Sequence, residues 1–239
     1  MPATALDIVL PCFNPIPNWA QNLVQNMARL NQLLPGISLH LYLVNDGSSR
    51  GVSEQDLLLL QQHIPHFNYI HYPENAGKGH ALREGVQQTK HEFVIYTDID
   101  FPYTEESFLK VYEALRANEA DIVVGIRDEE YYASVPPTRV KISKTLRFFA
   151  KKMLALPVND TQAGLKGFNS KGRKVFLETT IDRYLFDLEF LFEANKKRHL
   201  RIKGLKVTLK PGIVFSKMNS KILMTEGYSF AKIFMKRFI

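Results

Sequence analysis

Hydrophobic and polar positions follow two rhythms through the first half of the chain. Short β-rich runs, "LDIVLP", "SLHLYLV", "FNYIHY", "EFVIYT" and "DIVVGI", alternate with stretches near 17–34, 54–62, 80–90 and 104–117 whose apolar residues recur every three to four positions. The first rhythm predicts strands and the second amphipathic helices. Their alternation predicts an α/β fold, a mostly parallel sheet with helices on both faces. Ligands of such sheets sit beyond the carboxyl ends of the strands. The segments at those ends are "CFNP", "NDGSS", "PENAGKG", "DIDFP" and "IRDEE", rich in Asp, Asn and Gly.

The texture changes after Thr138. Residues 139–154, "RVKISKTLRFFAKKML", predict a basic helix with Leu146, Phe149, Met153 and Leu154 on its apolar side. "FDLEFLFEANKK" predicts another helix, "LRIKGLKVTLK" alternates as a strand, and the tail "ILMTEGYSFAKIFMKRFI" mixes aromatic and basic residues at helical spacing. No repeat or low-complexity linker separates the parts, so 1–239 is expected to form one domain.

At 239 residues and 45% hydrophobic content the chain can bury one large core. Its apolar runs fall far short of the ~18 residues of a membrane span. The N-terminus has neither a basic region nor a small-residue cleavage site, so export is not expected. Cys12 has no partner for an internal disulfide, and its apolar neighbours predict a buried thiol. The net charge of +7 conceals an asymmetry: residues 1–138 carry 8 Lys/Arg against 17 Asp/Glu, and residues 139–239 carry 23 against 7. A basic part beside an acidic one points to nucleic acid, a phosphorylated substrate or anionic lipid. The basic part lacks zinc-finger, helix-turn-helix and RRM-type signatures, so nucleic acid is not expected. The seven histidines show no H-x₃-H spacing and no pairing with Ser or Cys, and none is assigned to a metal or a triad.

"PENAGKGHALREG" looks like a phosphate cradle but matches neither standard form. Tyr72 stands where a P-loop has its first glycine, and Gly79 rather than a hydroxyl residue follows Lys78. The dinucleotide fingerprint would need a glycine at Leu82. "TDID" places Asp98 and Asp100 at a strand end, where two carboxylates facing one cleft repel unless a cation lies between them. Mg²⁺ or Mn²⁺ meets that need. Asp46 closes the second strand, where Gly47 and two serines permit a tight turn that leaves a carboxylate to accept from a ribose or a base.

The ordered set "PCFNP", "VNDGSS", "NAGKGHALREG", "DID", "GIR" and "DTQAGLKGF" resembles the family 2 glycosyltransferases of GT-A fold, which have a Rossmann-like sheet. Within them it is most similar to the branch that moves hexoses onto dolichyl or other polyprenyl phosphates. The likeness runs from Ile8 to about Lys197. It implies an inverting, metal-dependent hexosyltransferase with a nucleotide-sugar-binding half over 1–138 and a basic acceptor-side subregion over 139–239. Pro11, Asn14, Asp46, Gly77, Lys78 and Gly79 would then bind the nucleotide end. Asp98 would lie near ribose or metal, Asp100 would ligate the metal beside the diphosphate, and Arg127 and Arg139 would meet phosphate. Asp160, Gln162 and Gly164 would line the sugar and acceptor end. Pro15 and Pro102 depart from the family pattern at positions that bear on the base and the metal.

The acceptor decides whether a base is needed. A hydroxyl nucleophile must lose a proton to a nearby carboxylate. A phosphate monoester, with a second pKa of about 6, is already largely dianionic near neutral pH. Asp187 and Glu189 are the candidate bases, and a helix start also favours acids there through its dipole. The acceptor is accordingly expected to be a polyprenyl phosphate or, alternatively, a saccharide hydroxyl in surface polysaccharide synthesis. A basic nucleotide- or nucleic-acid-binding protein without catalysis is the third reading. For the first, the basic segment and tail imply peripheral attachment to an anionic membrane surface at its cytoplasmic, inner face, with no transmembrane segment.

Overall fold

The computed structural model describes residues 4–127, 156–158, 160–211, 230 and 233. The expected basic helix with Arg139, and most of the tail, lie outside the described residues. The elements run β1 (Ala5–Cys12), α1 (Trp19–Leu33), β2 (Ser38–Asp46), α2 (Glu54–His63), β3 (Phe67–Tyr72), α3 (Lys78–Gln88), β4 (Phe93–Tyr96), α4 (Glu105–Arg116), β5 (Ile122–Arg127), β6 (Lys166–Phe168), α5 (Ser170–Leu177), α6 (Phe186–Lys196) and β7 (Ile202–Val207). They build a seven-stranded sheet of order β3-β2-β1-β4-β6-β5-β7. All pairings are parallel except those of β6, which runs antiparallel between β4 and β5. The later part of the chain therefore completes the sheet begun by the earlier part.

Strand alternation sorts the core onto two faces. Leu6, Ile8 and Leu10 of β1 join Leu41, Leu43 and Ile95 against α1, α2 and α4. Val9 joins Val44, Val94 and Tyr96 against α3, α5 and α6. Helix α1 buries Trp19, Leu23, Met27 and Leu30, the three-and-four spacing of an amphipathic face. Ser53 and Asp56 form a reciprocal capping box on α2, and Thr104 caps α4 ahead of Glu105 and Glu106. Cys12 is buried, and burial pushes its thiol up to about 12, in keeping with a packing role.

Two elements have no counterpart in the hydrophobic rhythm. Strand β6 has only three residues, too few for alternation to register. Helix α5, "SKGRKVFL", carries its apolar residues as one run at its end, so no helical spacing registers; Asn169 caps it by accepting from the N–H groups of Lys171 and Gly172. Among the described residues, no helix is long and apolar enough to cross a membrane. Two described tail residues, Phe230 and Ile233, pack on the second core cluster.

Candidate active site

The site residues collect beyond the carboxyl ends of β1, β2, β4 and β5. Asn14, with φ 45, takes the backbone N–H of Ser49 and Arg50 on its side-chain oxygen at 3.0 and 3.2 Å. It thus ties the loop after β1 to the loop after β2. Pro11 lies one residue short of the end of β1, paired with Val44.

Asp46 is buried at the end of β2. Its carboxylate accepts from Tyr72 Oη at 2.8 Å, Asn75 Nδ2 at 2.7 Å, and the backbone N–H groups of Ala76 and Gly77 at 2.8 and 3.0 Å. Four donors fill about the four lone-pair positions of a carboxylate. Instead of presenting an open carboxylate, Asp46 uses it to hold the "ENAGKG" loop. Gly77 adopts φ +113, and a Cβ there would meet the Asp182 carbonyl oxygen at 2.5 Å. That oxygen also accepts the N–H of Gly79 at 2.7 Å, so the start of α3 is seated on the α5–α6 connection.

Lys78, set by this loop, donates its ammonium to Asp98 Oδ1. Burial works against the charged Lys78, but Asp98, Asp187 and Asp100 outweigh it and hold its pKa above the ordinary lysine value. Asp100 has much of its own surface in solvent, yet protein crowds it at longer range. Loss of hydration, followed by the charge of Asp98, pushes its carboxyl up. The turn between the two acids is tight: Phe101 N–H donates to Asp98 O at 3.0 Å, and buried Phe101 takes φ 45, unusual for a bulky side chain. Beside Asp100, a hollow of about 200 Å³ is lined by Pro15, Trp19, Asn26, Ile99 and Lys210 among others.

Gly164 closes the other side of Asp98. A Cβ on it would stand 2.4 Å from Asp98 Oδ2, and its N–H donates to Tyr103 Oη at 3.1 Å. Behind it, Arg127 and Asp160 form a buried bidentate pair, Nε to Oδ2 at 2.8 Å and a terminal nitrogen to Oδ1 at 2.7 Å. The Gln162 N–H donates to Asp160 Oδ1 at 3.2 Å.

The two candidate bases sit in different surroundings. Asp187 faces the site wall, paired with the fully buried Lys166 at 2.8 Å and accepting from Tyr96 Oη. Burial pulls the Lys166 pKa down despite this partner, and burial together with Asp187 drives the Tyr96 hydroxyl well up. Glu189 is buried and accepts the N–H groups of Thr180 and Ile181 at 2.8 and 2.7 Å. It therefore fixes the connection that supports Gly79. Of the site residues expected from sequence, Arg139 lies outside the described residues.

Sequence reasoning passed over Tyr96, Tyr103, Asp182 and Lys166. Only Lys166 carried a signal, a cation inside the apolar run "AGLKGF"; β6 puts it in register with Tyr96.

A family model described as Glycosyl transferase family 2 matches residues 7–176. A dolichyl-phosphate beta-glucosyltransferase of Dictyostelium discoideum is 21% identical over 203 residues, 80% of this chain and 62% of that protein. The chain thus spans less than two thirds of this relative's length. Among solved structures, mannosyl-3-phosphoglycerate synthase from Rubrobacter xylanophilus is similar at 15% identity and TM-score 0.69, covering 98% of this chain and 74% of that one. Glucosyl-3-phosphoglycerate synthase from Mycobacterium tuberculosis, in complex with Mn²⁺, UDP and phosphoglyceric acid, follows at 12% identity and TM-score 0.65, covering 98% and 78%. These likenesses establish the fold, the GT-A arrangement expected from the sequence.

Proposed function

The chain belongs to glycosyltransferase family 2, and from that premise we propose that it is an inverting hexosyltransferase. It takes a hexose from a nucleoside-diphosphate sugar and passes it to a polyprenyl, dolichyl-like phosphate. A phosphate oxygen of the acceptor attacks the anomeric carbon as the bond to the diphosphate breaks, and negative charge builds on the departing nucleoside diphosphate.

The donor set fits a divalent cation: two carboxylates flank one turn, and loss of hydration, followed by the charge of Asp98, pushes the Asp100 carboxyl up. Asp98 and Asp100 would hold Mg²⁺ or Mn²⁺, which when bound supplies positive charge to the diphosphate. Lys78 contributes a second positive charge at the same place, anchored by the loop that Asp46 holds. The Asp160–Arg127 pair orients a further cation in the adjoining wall. Gln162 and Gly164 shape the sugar end, and Asn14 and Pro11 the nucleotide end. The small-molecule complex of the mycobacterial structural neighbour supports both the nucleotide and the ion.

One observation carries the choice of acceptor. Asp187 is ion-paired with Lys166 and bonded to Tyr96, and Glu189 is occupied by backbone N–H groups. Neither is poised to take a proton from a hydroxyl, whereas a phosphate monoester needs no base at neutral pH. The Dictyostelium relative supports the same acceptor class. The work site is the inner face of a membrane, where each lysine or arginine of 139–154 near anionic lipid would contribute about 1 kcal/mol.

The test is transfer from a panel of UDP- and GDP-hexoses with Mn²⁺, offered a short polyprenyl phosphate, the matching polyprenol and free saccharides. Stimulation by the lipid phosphate alone is expected. Transfer to a saccharide alone would assign the chain to surface polysaccharide synthesis.

A further inference from the structure

We propose that the amino-terminal edge of the sheet carries a second metal site, for a borderline divalent ion of the Zn²⁺ class, formed by Asp7, His40 and His91. Asp7 on β1 and His40 on β2 are partners in the parallel register, so their side chains leave the sheet on the same face. His91 arrives from the α3–β4 connection. One ligand atom from each of the three lies within 4.8 Å of the others.

The carboxylate at the centre is built in rather than incidental. Asp7 is fully buried, and its Oδ2 accepts the backbone N–H groups of Lys90 and His91, both at 2.8 Å. Its Oδ1 lies 2.7 Å from His91 Nδ1. Three contacts from the α3–β4 connection thus fix the direction in which this buried acid points. His40 Nε2 rests 3.1 Å from Ser38 Oγ. The ring of exposed His66 stacks on His40 at 4.1 Å and 8°, close enough to supply a fourth nitrogen by a side-chain rotation.

Two imidazoles and one carboxylate select Zn²⁺ and its neighbours over Mg²⁺ or Ca²⁺, which take oxygen ligands. Zn–N bonds of about 2.0–2.1 Å require the half-exposed rings to close in by roughly 1 Å. The ion replaces the Asp7–His91 hydrogen bond, and the displaced proton passes to the other ring nitrogen or to solvent. Asp7 and His40 lie near the starts of their strands, whereas Asp46 and Asp98 lie at or beyond strand ends. The ion would clamp β1, β2 and the approach to β4 and take no part in transfer.

The experiment titrates the chelator-treated full chain with ZnCl₂, MnCl₂ and MgCl₂ by calorimetry and follows the melting temperature. One equivalent of Zn²⁺ is expected at this site, bound at least tenfold more tightly than Mn²⁺ and raising the melting temperature. The His40→Gln/His91→Gln double variant should lose that equivalent and the shift while keeping Mn²⁺-dependent donor binding. Absence of Zn²⁺ binding, or unchanged stoichiometry in the double variant, overturns the proposal. If the double variant does not fold, Co²⁺ on the wild-type protein decides. An intense four-coordinate visible band displaced by one equivalent of Zn²⁺ supports the site, and only weak six-coordinate absorption refutes it. The readout is metal binding itself, so failure here leaves the transferase reading standing.

Discussion

Lys166 and Asp187 meet at 2.8 Å inside the protein, with side-chain exposures of 0% and 5%. The pair joins the antiparallel strand β6 to the first turn of α6, and Tyr96 closes it from β4. Removing one partner of such a pair leaves an uncompensated buried charge, which costs about 3–5 kcal/mol. Asp187→Asn is therefore expected to lower stability to urea by that order, with activity lost together with the fold. If Asp187 served as a general base, the same variant would lose transfer at unchanged stability, so unfolding curves beside rate measurements separate the roles.

Asp98 and Asp100 are solvent-accessible, so their amide replacements should leave the fold intact. Asp100→Asn is expected to reduce kcat/KM by about 100-fold or more through lost stabilisation of the departing diphosphate. Asp98→Asn should do the same and also release Lys78. Steady-state kinetics over a Mn²⁺ series, with melting curves as control, check both.

Gly164→Ala tests the packing behind the acidic turn. The added methyl would stand 2.4 Å from Asp98 Oδ2, so that carboxylate must swing away. The expected outcome is a higher Mn²⁺ requirement for donor binding with a modest fall in melting temperature. An unchanged Mn²⁺ requirement would mean that the position of Asp98 does not matter.

Acid stability should report Asp121, where β5, α5 and the approach to β7 converge. Burial alone would raise its pKa. The Arg201 N–H at 2.9 Å, the Asn169 amide at 2.9 Å, and the charges of Arg201 and Lys171 outweigh that and hold it at about 2, against an ordinary 3.8. Because the folded-state pKa is depressed, the unfolded chain binds the proton first. The stabilisation, on the order of 2 kcal/mol, is full above about pH 4 and is lost as pH falls toward 2. Asp121→Asn should flatten that part of the unfolding profile.

Much of this molecule was legible in its sequence, for identifiable reasons. Five parallel strands and four helices follow from two hydrophobic rhythms, and strand ends rich in Asp, Asn and Gly marked the edge where Asn14, Asp46, Lys78, Asp98 and Arg127 gather. β6 escaped notice because three residues carry no period, and with it went Lys166, whose partner lies 21 positions away in the chain. The Asp7–His40–His91 cluster was likewise invisible: its members share no local spacing, and the strand register alone brings them together. Asp46 is legible as an acid closing a strand, but the uptake of its carboxylate by loop donors depends on the path of residues 72–77, which no pattern of residue types specifies.

The central claim is that Asp98, Asp100 and the Asp46-held loop form a cation-dependent site for a sugar nucleotide. Equilibrium titration of the purified chain with UDP- and GDP-hexoses, with and without Mn²⁺, tests it most directly. Saturable binding of at least one of them that strengthens tenfold or more with Mn²⁺ and disappears in Asp98→Asn/Asp100→Asn is the expected result. Binding of none of them, or binding indifferent to both the ion and the two substitutions, would contradict it.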